Sequence, residues 1–526
     1  MNPKYLKPES CLKLWRQVLP VFLIISFFLS PLSAQEQCTT AVASGKATVD
    51  GRPLLWKNQD TNDIEKEVVY FPGGMYDVIG VVLPGYDNSI WMGINSAGFA
   101  VENSLSADLE GPSSAENGSF MKRALQTCAT VDEFEQLLVE TNSPGRETLA
   151  NYGVIDATGA AAIFEAGNHS YTKYDADDPE VAPLGFVVRT NFALTGDGSG
   201  AGYERYERAT ELITEAVLNG ELSHEYVLRN MSRDLKNDII DPYPLPYEGT
   251  QEGHPVGYVR TEYSINRHRT RSAVVFHGVL PGEDPRLSTM WVILGEPVCG
   301  VSVPVWVLAG TTPDEINGSS NAPMTELSLA KKELCYPDPA SSHFLNTYAL
   351  DDGAGGGIFS YSFPIEDWTL AETEAKLTQW RSTFPDTDQV RSSEEAIISQ
   401  TYCCHLTSSI PTGIHPPLEF EGQTVTNRSL SQIEYINVLH WRANPDNTNI
   451  VMYRIYLIEG ERKILLSEVD AQNDTSWHRK VRKDRDYVYA IFPVNHENQQ
   501  GNPACLTMQG ERDQERKRIK YRIDLK

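Results

Sequence analysis

The chain of 526 residues carries 45 Lys and Arg against 71 Asp and Glu, a formal net charge of −26, with 40% apolar and 10% aromatic residues. That length exceeds what a single hydrophobic core organises, so two domains are expected, and the apolar content excludes a wholly disordered chain. The acidic balance argues against a nucleic-acid binder, which needs a basic face for phosphates, and against docking on an anionic membrane.

Residues 1–34 read as a secretory signal peptide. Lys4, Lys7, Lys13 and Arg16 form a basic stretch, Val18 to Ser30 an apolar one, and Pro31-Leu32-Ser33-Ala34 ends on a small residue suited to cleavage. About thirteen apolar residues fall short of the roughly 20 that cross a bilayer, and no later run is longer. The sequence therefore predicts an exported chain, periplasmic or extracellular, without a membrane span. Its 8 cysteines are too sparse for a disulfide-built scaffold, although an oxidising compartment allows a bridge or two.

Beyond the signal, CTTAVAS, PLLWK, EVVYF, YDVIGVVL, SIWMGI and FAVENS are strand-like runs separated by turns. A helix follows, with Thr130 as N-cap, Glu133 three residues on, and Phe134, Leu137 and Leu138 on one face. The segments NYGVIDA, AAIFEAG and GFVVRTNF return to strand. Tyr206, Ala209, Ile213, Ala216 and Val217 recur at helical spacing up to Gly220, and a second helix is expected from Ser223 through Leu235. The runs SAVVFHGV, TMWVILG and VPVWVLAG are strands again, and helices are expected over 366–382 and 393–404. This alternation predicts an α+β domain in which helices pack on β-sheet. Near residue 410 the texture changes to a Pro- and Gly-rich linker, SSIPTGIHPPLEF, then to short strands EYINVLHW, VMYRIYLI, ILLSEV and DYVYAIFPV at sandwich-like spacing.

Ready-made catalytic motifs are missing: there is no HExxH, GxSxG or Walker A loop. The glycine-rich GDGSGAG (196–202) and GAGGG (353–357) lack the spacing of a phosphate cradle. Cys403-Cys404-His405 invites a metal reading, but no second ligand pair at zinc spacing accompanies it. No metal or cofactor is called for. Cys38, just past the signal, offers another route. Removing the stub 35–37 makes it the first residue, so its own α-amine (pKa about 7.7–8.0) can take the proton of its thiol (about 8.5). A lipidated cysteine fits poorly, because Gln35-Glu36-Gln37 is not a run of small residues.

The stretch CTTAVASGKATVDGRPLLWKNQD, from Cys38 to Asp60, resembles the cysteine branch of the N-terminal nucleophile hydrolases: penicillin V acylase, choloylglycine (bile-salt) hydrolase, isopenicillin-type acyltransferases and related dipeptidases. The resemblance implies a four-layer αββα sandwich over 38–405. It implies Cys38 as nucleophile and, through its amine, base, and Asp60 as the carboxylate that holds that amine. Lys57 stands where relatives usually have Arg; a cation there would lower the thiol pKa and neutralise a developing anion, without Arg's bidentate fork. GINSAGFAVENS supplies Asn103 as oxyanion donor, VVRTNFALTG supplies Asn191 as a second, and Arg271, ahead of SAVVFHG, is the candidate site arginine. Trp441, Tyr453, Tyr456 and the Tyr487-x-Tyr489-x-Ile491 alternation resemble a fibronectin type III module. The expected organisation is signal peptide 1–34, stub 35–37, catalytic domain 38–405, linker 406–417, module 418–510 and a basic tail 511–526.

These implications predict an exported amidohydrolase that cleaves a linear non-peptide amide, such as an N-acyl amide of the penicillin side-chain kind, through a thioester formed by a self-exposed cysteine. Acyl transfer to an amine or dipeptide cleavage on the same fold is the alternative. A non-catalytic surface protein, with the small module as its adhesive unit, is a third reading, and Lys57 in place of Arg is its sequence support. The expected partner is a small-molecule amide, and the C-terminal module could contact a protein or surface.

Overall fold

A computed structural model of the chain describes residues 37–112, 116–318, 321–338, 341–408, 414–428, 433–459, 462–508 and 510. The expected signal peptide, Gln35 and Glu36 of the stub, and the basic tail lie outside the described residues.

The strand β1 (Gln37–Ala43) pairs antiparallel with β2 (Leu54–Asp60). The loop joining them carries Asp50 and Gly51. Gly51 stands at φ +78°, in the left-handed region that side chains disfavour, which accounts for glycine after Asp50. Seven further strands form a meander in sequential order: β3 (Glu67–Phe71), β4 (Val78–Val82), β5 (Met92–Asn95), β6 (Ala100–Leu105), β7 (Ala150–Ile155), β8 (Ala161–Ala166) and β9 (Tyr171–Asp175). The hairpin joins a different sheet. Its order is β10 (Phe186–Arg189), β1, β2, β12 (Thr270–His277), β13 (Thr289–Leu294) and β14 (Val303–Val305). A separate ribbon pairs β11 (Tyr258–Arg260) with β15 (Phe344–Asn346).

Side chains alternate between the faces of a strand, and the core records it. Val42 and Leu55 share one cluster with Ile79, Ile94 and Ile163 of the meander. Ala41, Ala43, Leu54 and Trp56 join another, formed with Ala209, Ile213 and Met231 from helical segments. By the same alternation Cys38 and Thr40 fall on the face of Val42, and Thr39 on the opposite one. Their bonds agree: Thr40 donates to Glu102 of β6, while Thr39 accepts from Arg205 on a helix.

The meander's remaining apolar face packs Phe99, Tyr152 and Phe164 against α1 (Asn117–Thr127) and α2 (Val131–Asn142). Thr130 caps α2 as expected, accepting from the Glu133 amide at 3.2 Å, but the Glu133 carboxylate reaches the Ala129 amide, one residue beyond an ordinary capping box. The helix α3 (Tyr203–Asn219) ends at Gly220, which is left-handed. The helix expected from Ser223 does not continue to Leu235. Ser223 caps a single turn (His224–Tyr226) that passes into a π-helical turn (Val227–Met231). There the chain turns to serve buried polar groups of β2: Ser232 accepts from Trp56 Nε1 (3.0 Å) and, through its carbonyl, from Asn58 Nδ2 (2.9 Å). The helix α4 (Pro323–Cys335) has no counterpart in the sequence reading, nor has α1. The helices α5 (Phe359–Ser382) and α6 (Thr387–Thr407) both begin upstream of their expected starts, α6 behind a capping box of Asp386 and Gln389.

The strands β16 (Leu418–Arg428), β17 (Ile433–Arg442), β18 (Ile450–Glu459), β19 (Arg462–Asp470), β20 (Thr475–Val481), β21 (Tyr487–Asn495) and β22 (Ala504–Met508) form sheets β16-β17-β20 and β19-β18-β21-β22. Leu439 and Trp441 of one sheet and Tyr453, Ile455 and Tyr489 of the other share a core, so the two sheets make a sandwich. Trp441 meets Tyr453 edge-on at 5.4 Å, and Tyr487 Oη accepts from the Arg482 amide at 2.7 Å, a tyrosine corner. A disulfide between Cys403 of α6 and Cys505 of β22 ties the sandwich to the larger part, over a small apolar contact with Ile458, Ala490 and Phe492. Among the described residues no helix is long and apolar enough to cross a membrane.

These contacts make two predictions about stability. The bridge closes a span of 102 residues, and the chain-entropy account gives such a closure up to about 4–5 kcal/mol. Cys505→Ser should lower the calorimetric midpoint of the oxidised protein, and reduced wild type should show the same shift; coincident oxidised and variant traces would contradict this. Glu366 is buried, and burial alone would raise its carboxyl. Arg233, Arg229 and the Ser302 amide instead hold it down to about 2. A depressed carboxyl contributes stability that is complete above its unfolded value, about 4.3, and is lost as pH falls toward 2. Glu366→Gln should therefore flatten the stability profile between those pH values while costing about 3–5 kcal/mol at pH 7, measured by denaturant unfolding.

Candidate active site

Cys38 is fully buried near the start of an interior strand. In the ladder it lies opposite Gln59, and Gln59 lies opposite Ser272 of β12, whose hydroxyl donates to Gln59 Oε1 at 3.1 Å. On the other side the ladder with β10 runs only from Thr40–Arg189 to Ala43–Phe186, so no strand bonds to the Cys38 backbone there. Side chains do so instead. The Cys38 N–H donates to Asn191 Oδ1 at 2.8 Å, and its carbonyl accepts from Arg205 Nη1.

Asn191 can do this because its loop is held rigidly. Asn151 Nδ2 donates to the carbonyls of Thr190 and Phe192, both at 3.0 Å, and Asp108 accepts from the Ala193 amide. Glu165 accepts from the amides of Leu194 and Thr195 and pairs with Arg189 at 2.7 Å with both side chains buried. Burial would raise the Glu165 carboxyl, but Arg189 and these donors bring it below its ordinary value. Asn191 Nδ2 donates to the Leu105 carbonyl at 2.9 Å. The residue expected as an oxyanion donor thus acts as an acceptor at the Cys38 nitrogen.

Arg205 was missed by the sequence reading. It lies in the first turn of α3, where the helix dipole disfavours a cation, and it is buried. It donates to the Cys38 carbonyl, to Thr39 Oγ1 (2.9 Å) and to Asn191 Oδ1 (2.9 Å). Burial and the nearby Arg267 lower its guanidinium to about 10, so it stays protonated at neutral pH. Gly202 makes room for it: a Cβ there would collide with Arg205 Nη2, and its φ is +86°. The glycine-rich segment 196–202 therefore serves to bring a guanidinium back under the start of its own helix. Gly202-x-x-Arg205 was the available signal, but nothing in the spacing says where the arginine points.

Asp60 closes β2 opposite Gln37. Its carboxylate accepts from Arg267 Nε at 2.7 Å and Thr270 Oγ1 at 2.7 Å, and Arg267 Nη2 also donates to Gln37 Oε1. The arginine that meets Asp60 is thus Arg267, while Arg271, the candidate site arginine, is not among its hydrogen-bond partners. The backbone turns back on itself between them, with the Thr270 amide donating to the Arg267 carbonyl. Arg271 is directed elsewhere, donating to the His268 carbonyl at 3.1 Å and lying near Glu296 and Tyr336.

On the meander side, Lys57 Nζ, fully buried, donates to Asn103 Oδ1 at 3.0 Å and to the Trp91 carbonyl at 3.3 Å. The Asn103 carbonyl oxygen is thereby fixed, which also fixes the amide end. Asn103 Nδ2 is buried and has no hydrogen-bond partner among the described residues. An unsatisfied buried donor costs about 1–3 kcal/mol, so it marks a place prepared for an acceptor. A cavity of about 430 Å³ opens beside Gln37, lined by Arg205, Arg267 and Arg269 among others.

Cys403-Cys404-His405 does not converge on one point: Cys403 is in the disulfide, Cys404 Sγ accepts from Gln400, and His405 Nε2 lies 3.2 Å from the Cys299 carbonyl. Among the described residues no three His, Cys, Asp or Glu are grouped to hold a metal ion.

No family model matches the chain, and no curated protein matches it. Among solved structures it is similar to penicillin V acylase from Agrobacterium tumefaciens, at 15% identity and TM-score 0.30, over 51% of this chain and 86% of that one. It is also similar to a mutant of the conjugated bile acid hydrolase from Clostridium perfringens, at 12% identity and TM-score 0.31, over 49% and 89%. A structure described as FN3tt mut matches at 15% identity and TM-score 0.15, over 18% and 92%.

The loop bearing Asn191 depends on the Glu165–Arg189 pair. Glu165→Gln leaves the Arg189 charge buried without its counter-ion and should cost about 3–5 kcal/mol. A denaturant midpoint indistinguishable from that of wild type would contradict this account of the loop.

Proposed function

We propose that the chain is the precursor of an exported amidohydrolase of the N-terminal nucleophile type. In this reading its larger part is a four-layer αββα sandwich, and its C-terminal sandwich is a fibronectin type III-like module. The core supports the layering, since each sheet contributes to one cluster shared with the other sheet and to another shared with helices.

The bonding at Cys38 carries the proposal. Its nitrogen and carbonyl are both gripped by side chains that reach across the fold. On the hairpin face that Cys38 shares, Lys57 holds Asn103, whose buried Nδ2 has no hydrogen-bond partner among the described residues. In maturation Cys38 Sγ attacks the Gln37 carbonyl carbon. The Gln37–Cys38 C–N bond breaks, the nitrogen takes a proton, and water hydrolyses the thioester, leaving Cys38 with a free amine. Asn191 Oδ1, already bonded to that nitrogen, then orients the amine. Moving the thiol proton onto it costs only about 1 kcal/mol, since the ordinary pKa values of an α-amine and a thiol lie less than about one unit apart.

In turnover the thiolate attacks a linear amide. The amine returns its proton to the leaving nitrogen, and water releases the acyl group. Asn103 stabilises the tetrahedral oxyanion, and Lys57 orients Asn103 and adds positive charge. Asp60 acts through Arg267, holding the guanidinium that meets the residue on the acyl side of the bond.

Cys38→Ala should yield a chain whose intact mass includes Gln37 and which hydrolyses no member of an N-acyl amide panel. Asn103→Ala should mature yet lose about 10²–10³-fold in kcat. Wild-type rates from Cys38→Ala would end the proposal.

A further inference from the structure

Gln37 and the acyl group of a substrate occupy equivalent positions. In maturation the carbonyl of Gln37 is transferred to Cys38 Sγ, and in turnover the substrate's acyl carbonyl is transferred to the same atom. The walls around Gln37 are therefore those that the acyl half meets once Gln37 has left. This inference rests on the function proposed above.

Those walls are unevenly charged. Three guanidinium groups, Arg205, Arg267 and Arg269, line the cavity beside Gln37, against the carboxylates of Glu204 and Glu262. Most of them are already committed. Arg267 pairs with Asp60, Glu262 accepts from Arg260, and Arg205 grips the Cys38 carbonyl, Thr39 and Asn191. Arg269 is not. It forms no ion pair among the described residues, Glu204 included, and its Nε and Nη2 are buried without a hydrogen-bond partner. These two nitrogens lie on one edge of the guanidinium, the edge that meets both oxygens of a carboxylate side-on. The backbone behind them is fixed, because the Arg269 carbonyl accepts from the Thr61 amide at 3.0 Å, beside Asp60.

A guanidinium whose bidentate edge is buried and unsatisfied is costly unless an anion completes it. We infer that the enzyme acts on amides whose acyl half carries a carboxylate, and that Arg269 selects them. The site is thus suited to monoamides of dicarboxylic acids rather than to apolar acyl groups.

The test uses the mature full-length protein and p-nitroanilides of succinic, glutaric and adipic acids, each beside its methyl ester, together with butanoyl-glycine and butanoyl-glycinamide. At least one free acid should exceed its ester in kcat/KM by roughly tenfold to a hundredfold, the span of a charge-assisted bond. That ratio should fall toward one in Arg269→Gln and recover in part in Arg269→Lys. Glutarate, but not butyrate, should protect Cys38 of the wild type from iodoacetamide, a readout that needs no variant.

Equal rates for acids and esters, or a ratio unchanged in Arg269→Gln, would overturn the inference while leaving the amidase intact. A preference that follows the glycine carboxylate instead would put the anion on the amine half and overturn it too. A chain that keeps Gln37 by mass and cleaves no amide would remove the amidase reading and this inference with it.

Discussion

The arrangement depends on how one peptide unit is held. The Gln37–Cys38 junction sits at the end of an interior strand that has a ladder partner on only one side at that point. A backbone N–H and carbonyl buried there must find partners, because leaving them unpaired costs as much as a lost hydrogen bond each. Asn191 and Arg205 provide them. The same two side chains therefore solve a folding problem and fix the Cys38 backbone at both its nitrogen and its carbonyl. That double duty explains why the loop behind Asn191 is tied down by Glu165, Asp108 and Asn151, and why a buried arginine is tolerated in the first turn of a helix.

Charge in this region is divided between the two faces of the hairpin. Lys57 lies on the meander side and donates to the side-chain amide of Asn103. Arg205 lies on the helix side and also meets neutral acceptors. Arg267 is neutralised by Asp60. Lys57 suits its contact with Asn103, because orienting one amide oxygen needs a point donor and not a planar fork.

The C-terminal sandwich is built by a different logic. Its core is short and aromatic, with Trp441 against Tyr453 and the Tyr487 hydroxyl closing a corner on the Arg482 amide. It meets the larger part through the contact around Cys403 and Cys505. A covalent tie at so limited a contact sets the module's position more by connection than by buried area.

Much of this was legible in the chain itself. The hairpin from Cys38 to Asp60, its turn at Gly51, the Thr130 cap and the alternation of the sandwich strands are local patterns, set by residues within a few positions of one another. Asn103 and Asn191 could be singled out by the motifs around them. What they do could not, because it depends on partners 46 and 153 positions away. The helix after Ser223 shows the limit on secondary structure: its apolar spacing favours a helix to Leu235, but the buried polar groups of Trp56 and Asn58 bend it into a π-turn. Arg267 instead of Arg271, and Arg205 from a glycine-rich loop, show the limit on sites. Sequence determined which chemical groups are available and where the strands begin. Tertiary structure decided which guanidinium reaches which carboxylate, since that follows from the direction a turn gives a long side chain, and such a direction is set by contacts between segments far apart in the chain.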